Sequence, residues 1–248
     1  MSITFETKVW ENDWELMLKS SRLEKMIERC NHTFNEKILY INNVQDYSKV
    51  AQVADRLIRS GVIDQYVKVS DYAEDALDFF SLSKDKLGIG YYYSIAELVS
   101  IYYTKTKYLL HFSGDSIVSK KTATQWLSDG IETLRNNNNV KVFNLTWNEE
   151  YSAAKKEAEY DDLMNGYGFG FSDQMYLIRS ADFKKPIYEF YDPASERYPK
   201  YGGELFEKRV DSWMRQNNFL RATYKNGSYL HKNFTKNLFL RKMQMWLT

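Results

Sequence analysis

From its first residues to about residue 115, the chain alternates β-forming runs with helical stripes. Ile3–Val9 (ITFETKV) alternates apolar and polar residues, as a strand does when one face is more buried than the other. Lys37–Ile41 (KILYI), Tyr66–Val69 and Tyr108–Phe112 (YLLHF) are short runs of the kind a sheet buries. Between them lie helical segments. One carries Leu16, Leu18, Leu23, Met26 and Ile27, opens after Asp13 and ends near Cys30–Asn31. A second carries Val50, Val53, Leu57 and Ile58, opens after Asp46 or Ser48 and stops at Gly61. Ala73–Phe80 and Ser94–Tyr103 follow. Strands alternating with helices build parallel sheets with helices on both faces. The expected class is α/β, with a Rossmann-type, mostly parallel sheet flanked by helices.

Past residue 115 the regularity fades. Thr122–Leu134 predicts a helix, Val140–Leu145 a strand, Tyr151–Tyr160 a polar helix and Gln174–Ile178 a strand. Phe206–Gln216 predicts a helix, with Glu204 in or just before its first turn. Asn165–Phe171 (NGYGFGF) is rich in glycine and aromatic residues. There is no internal repeat and no low-complexity linker. We read one domain over 1–248, regular to about 115 and irregular from about 116.

Composition excludes several classes. With 34 Lys+Arg against 33 Asp+Glu, the chain has no bulk positive charge for gripping nucleic acid, and no nucleic-acid partner is expected. The lone Cys30 forms no internal disulfide and no Cys/His zinc spacing, and it fits a reducing cytoplasm. The opening MSITFETKVW has no apolar core of a leader, and no run approaches the roughly 20 apolar residues of a membrane span. In the tail, Lys232–Thr248, Phe234, Leu238, Phe239 and Trp246 interleave with Lys232, Lys236, Arg241 and Lys242. This is either a basic amphipathic segment for peripheral contact with the inner face of a membrane, or an apolar face packed on the body.

Open parallel sheets bind ligands beyond the carboxyl ends of their strands. Here those ends carry Trp10–Asp13, Asn42-Asn43, Ser70-Asp71 and Ser113-Gly114-Asp115. No Gly-x-Gly-x-x-Gly follows the first strand, and no P-loop occurs. A bound phosphate would need another counter-charge, usually a divalent cation on a carboxylate. Asp115 is the candidate for that carboxylate; the competing reading is that it caps the segment that follows.

The order of these elements, closed by YLLHFSGDS, resembles the nucleotide-binding half of a GT-A type glycosyltransferase, in which the fourth strand ends in Asp-x-Asp. The resemblance covers most of the chain and rests on order and spacing. Here Ser113 replaces the first acid and Asp115 matches the second. The resemblance implies transfer of a sugar from a nucleotide-diphosphate donor, UDP-linked, to a hydroxyl acceptor that is a saccharide or lipid-linked. It also implies Mn2+ or Mg2+ held by Asp115 and a late histidine, His231. Val9, Trp10, Glu11, Asn43 and Asp46 would bind the nucleotide, with Ser113 and Asp115 at the diphosphate. NGYGFGFSDQ is similar to the segment preceding the acceptor-site acid of that family, so Asp173 would be the general base, with Glu204 its rival. Because Ser113 removes a charge, a non-catalytic nucleotide-sugar binder is the alternative. A third class, a scaffold using its aromatics as an interface, would bind no UDP.

Overall fold

In the computed structural model the described residues are 2–231. The strands are β1 (Ile3–Val9), β2 (Glu36–Ile41), β3 (Gln65–Lys68), β4 (Tyr108–Phe112), β5 (Ser116–Val118), β6 (Val140–Trp147), β7 (Tyr160–Asp161), β8 (Asn165–Gly168), β9 (Met175–Arg179) and β10 (Leu220–His231). The helices are α1 (Trp14–Leu18), α2 (Arg22–Glu28), α3 (Tyr47–Arg59), α4 (Ala73–Phe79), α5 (Lys84–Leu87), α6 (Tyr91–Tyr103), α7 (Trp126–Asn136), α8 (Tyr151–Glu157), α9 (Ser180–Phe183) and α10 (Phe206–Gln216). All the strands join one sheet in the order β3-β2-β1-β4-β9-β6-β10-β8-β7, and β5 pairs with β10.

The strands of the regular half form and pair as the sequence predicts. β1 pairs in parallel with β2 and β4, and β2 with β3. Side chains alternate across the sheet. Ile3, Phe5 and Val9 of β1 face a core shared with α1, α2, α3 and α7, whereas Ile38 and Tyr40 of β2 face a second core built with α4, α6 and α10. On this second face β1 presents polar residues. Glu6 bonds His111 of β4 at 2.6 Å, and Lys8 pairs with Glu97 of α6. Glu6, His111 and Glu97 are almost fully buried, so a polar seam runs beneath α6.

The irregular half departs from expectation in several ways, among them that the predicted helix over Tyr151–Tyr160 ends at Glu157 and Tyr160 joins β7. β9 runs antiparallel between β4 and β6, which makes the sheet mixed. The predicted start of α7 at Thr122 moves to Trp126, because Thr122 exchanges hydrogen bonds with Ser228 of β10. No strand was expected over β10, whose middle holds Lys225-Asn226-Gly227, residues common in turns. That triplet instead forms an irregularity within a strand, seen as a register shift between Tyr224 and Ser228 against β6. Nearer the N-terminus, the predicted first helix breaks into α1 and α2 at Lys19-Ser20-Ser21, where the Ser20 hydroxyl donates to the Leu16 carbonyl at 2.6 Å. Both readings of the tail Lys232–Thr248 fall outside the described residues. Among the described residues no helix is long and apolar enough to cross a membrane.

Candidate active site

A cavity of about 480 Å³ opens at the carboxyl ends of β1, β2 and β4. Its wall includes Val9, Trp10, Asn43, Ser113, Asp115, Asp173 and His231 from among the residues singled out in the sequence. It also includes Asp13, which follows the first strand as expected, and Lys8, Tyr92, Tyr93 and Glu97, which sequence reasoning did not place there.

Asp115 stands in a tight turn after β4, closed by the Ser116 N–H donating to the Ser113 carbonyl at 2.9 Å. Gly114 lets this turn approach α1: a Cβ there would lie 3.1 Å from an Asp13 carboxylate oxygen. The turn leads straight into β5, which runs antiparallel to the end of β10 and aligns Ser116 with His231. Asn148 clamps the His231 backbone on both sides, accepting its N–H at 2.8 Å and donating to its carbonyl at 3.0 Å. His231 Nε2 thereby comes within 3.2 Å of Asp115 Oδ2. The hydroxyl of Ser113 donates to the other carboxylate oxygen at 2.8 Å. Burial alone would raise the Asp115 pKa, but the bonds from His231 and Ser113 outweigh it and hold the carboxyl below its usual range. Arg22 stands close enough to feel Asp115 and is buried. Burial pulls its guanidinium down to about 10, with Arg29 adding to the fall and Asp115 opposing it.

Asp173 arrives from the other side of β4. Phe112 lies opposite Met175, and the Ser113 N–H donates to the Gln174 carbonyl at 2.9 Å, so the residue before Gln174 faces the same cavity as Asp115. Behind it sits Glu207 of α10, a residue the sequence reading passed over. The Asp173 N–H donates to its carboxyl oxygen at 2.7 Å. Burial, reinforced by the negative charge of Asp173, pushes Glu207 well above the ordinary carboxyl range. The sequence held no signal for this pair beyond an acid in the first turn of an amphipathic helix.

Three proposed site residues lie elsewhere. The Asp46 carboxylate caps α3 by accepting the Lys49 N–H at 3.0 Å. Glu11 accepts the Gln45 N–H at 2.7 Å. Glu204 precedes α10 and pairs with Lys208 at 2.8 Å. None of the three lines the cavity. Asp13 holds the N-cap position of α1 as expected, although its carboxylate accepts the Trp10 N–H at 2.8 Å and makes no side-chain capping bond to the helix.

Against solved structures the chain aligns along nearly its whole length. It is similar to glucosyl-3-phosphoglycerate synthase from Mycobacterium tuberculosis, solved with Mg2+ and UDP, at TM-score 0.52 and 15% identity, covering 99% of this chain and 76% of that one. The same enzyme with Mn2+, UDP-glucose and phosphoglyceric acid aligns at TM-score 0.51 and 13% identity, covering 99% and 77%. GalNAc-T7, solved with UDP, GalNAc and Mn2+, aligns at TM-score 0.58 and 9% identity, over 93% of this chain and 44% of that one. The chain has the GT-A fold. No family model matches it, and no curated protein matches it by sequence. The fold equivalence therefore rests on topology: in this GT-A sheet, as in open α/β sheets generally, the crevice lies at the carboxyl ends of the parallel strands.

The donor set near Asp115 is a partial one. Among the described residues no three His, Cys, Asp or Glu side chains gather into a self-sufficient metal site. Asp115 and His231 offer one carboxylate oxygen and one imidazole nitrogen in one place. Magnesium-like ions are commonly held by one or two carboxylates together with substrate phosphates and waters, and this pair offers two of the roughly six ligands of such a shell.

Proposed function

We propose that this chain transfers a sugar from a nucleoside-diphosphate sugar, UDP-linked, to a hydroxyl acceptor, with Mn2+ or Mg2+ as cofactor. The observation that carries the proposal is the convergence of Asp115, His231 and Asp173 on one cavity of a GT-A fold. That cavity is rich in carboxylates, so a diphosphate could settle there only with a cation beside it. Asp115 and His231 would hold the ion, and the ion would supply Lewis-acid stabilisation of the departing diphosphate.

The remaining roles belong to the chain itself. Val9, Trp10 and Asn43 line the part of the cavity nearest β1 and β2, where the nucleoside would sit. Trp10 is 40% exposed, which leaves ring surface for a base. Asp173 would accept the proton of the acceptor hydroxyl as its oxygen bonds to the anomeric carbon and the bond to the diphosphate breaks. Glu207 would fix Asp173 through its backbone N–H.

The test is a thermal-shift panel of nucleoside diphosphates with and without Mn2+. Stabilisation by UDP that requires the metal supports the proposal, and a flat panel overturns it. The second reading, a nucleotide-sugar binder without turnover, is favoured by Ser113 standing where a second acid would sit. It predicts the same thermal shift but no release of UDP from UDP-sugars.

A further inference from the structure

We propose that Gln174 binds the sugar of the donor through its amide nitrogen, and that the hydroxyl of Tyr229 holds the amide in the orientation this requires. The inference rests on the sugar-transfer reading and names a residue that distinguishes a nucleotide-sugar from the bare nucleotide.

The first ground is orientation. Gln174 lines the cavity, whereas Tyr229 is buried and forms no part of its wall. The Tyr229 hydroxyl donates to Gln174 Oε1 at 3.1 Å. Burial raises the Tyr229 phenol well above its ordinary range, against a smaller opposing effect of the Ser172 hydroxyl, so the phenol keeps the proton that it donates. Ser172 steadies the other partner as well, its Oγ accepting the Gln174 N–H at 3.3 Å. The two arms of a side-chain amide diverge from one carbon. With Oε1 turned inward to Tyr229, Nε2 is turned outward. It bonds no described residue and is not a buried atom, so its two N–H groups are open to the cavity that Gln174 lines.

The second ground is placement. The Gln174 carbonyl accepts the Ser113 N–H at 2.9 Å, and the Ser113 hydroxyl donates to Asp115 at 2.8 Å. On its other side Gln174 follows Asp173, the proposed base. The amide therefore stands between the carboxylate assigned to the metal and diphosphate and the group assigned to the acceptor hydroxyl. A sugar in transit must occupy that interval, because its anomeric carbon leaves a diphosphate oxygen and bonds an acceptor oxygen. Ionised Asp115 and Asp173 only accept hydrogen bonds and suit the protons of sugar hydroxyls. The Nε2 donors suit the oxygens of hydroxyl or acetamido groups.

The experiment is titration calorimetry on the full chain with Mn2+, comparing UDP with UDP-glucose, UDP-galactose and UDP-N-acetylglucosamine. Gln174→Met keeps the length of the side chain and removes the amide. It should weaken the best-bound UDP-sugar about 3–10-fold, as expected for loss of one or two neutral hydrogen bonds. UDP, which has no sugar to contact, should bind it as it binds the parent. Tyr229→Phe keeps the amide and frees it to turn, and should show a smaller loss confined to the UDP-sugars. Thermal unfolding checks that each variant is folded, and Gln174→Met decides alone if Tyr229→Phe is not. Unchanged affinity for every UDP-sugar in Gln174→Met overturns the inference. So does an equal loss for UDP, which would assign Gln174 to the nucleotide or to the framework. An unaffected Tyr229→Phe overturns the part given to the phenol. A parent that binds none of the UDP-sugars sinks the sugar-transfer reading and this inference with it.

Discussion

His231 Nε2 lies 3.2 Å from Asp115 Oδ2, although one residue ends β10 and the other follows β4. The short β5 makes the pair, because it begins one residue after Asp115 and zips against the strand that carries His231. Asp115→Asn keeps the size of the side chain and removes its charge. We expect it to weaken metal-dependent UDP binding at least about tenfold, with His231→Ala acting in the same direction. Titration calorimetry with UDP and Mn2+ measures both. Unchanged affinity in Asp115→Asn would show that the carboxylate holds no ion there.

Asp173 and Glu204 were rival bases in the sequence, and only Asp173 reaches the cavity. Asp173→Asn should lower kcat by about 10²–10⁴, the usual range for loss of a general base. Glu204→Gln should stay within about twofold of the parent, because its carboxylate pairs with Lys208 at the α10 terminus. Steady-state UDP release compares the two, and a collapse in the Glu204 variant would reverse the assignment.

Glu207 makes a pH prediction whose sign is fixed. Burial and the Asp173 charge raise its folded pKa above the unfolded value, so the native state keeps a proton that the unfolded chain releases. This contribution to stability is full below the unfolded pKa and is lost as pH rises through the folded one. Glu207→Gln still offers an oxygen to the Asp173 N–H and has no proton to lose. Relative to the parent it should gain stability between pH 5 and pH 8, read as the change in urea midpoint at each pH. A constant difference across that window would mean that the Glu207 carboxyl titrates alike in both states.

Asp115 has the opposite sign. Its carboxyl is held low in the native state by His231 and Ser113 against the effect of burial. Its contribution is present above the unfolded pKa and disappears as pH falls through the folded value. Asp115→Asn should therefore cost stability at neutral pH and lose that cost under acid, which urea unfolding at pH 7 and pH 3 would detect. An equal cost at both would assign the effect to packing.

Packing alone makes the last prediction. A Cβ on Gly130 of α7 would sit 2.6 Å from two ring atoms of Phe143, a residue with no exposed surface. Gly→Ala in a helix ordinarily gains up to about 1 kcal/mol. Here the ring cannot move aside, and overpacking of about 1–3 kcal/mol should win. Gly130→Ala should lower Tm by several degrees, and a raised Tm would show slack between α7 and β6.

The N-terminal half was legible because its signals are local. Ile3–Val9, Lys37–Ile41 and Tyr108–Phe112 carry their burial pattern in consecutive residues, and β1, β2 and β4 form at those positions within a residue. The C-terminal half hides its signals. β10 contains Lys225-Asn226-Gly227, a turn by composition, and only pairing with β5, β6 and β8 holds it extended. The pairing energy comes from strands distant in sequence, which no local pattern reports.

The sequence by itself determined an α/β chain whose strands end in Trp10, Asn42-Asn43 and Ser113-Gly114-Asp115, because apolar periodicity and turn residues act over a few neighbours. Tertiary structure alone decided which polar side chains share the crevice. Asp46, Glu11 and Glu204 were drawn off by nearby backbone and lysine partners, whereas His231 was carried to Asp115 and Glu207 to Asp173. Side chains from separate elements meet according to strand order and register, and those depend on how the entire sheet buries its two faces.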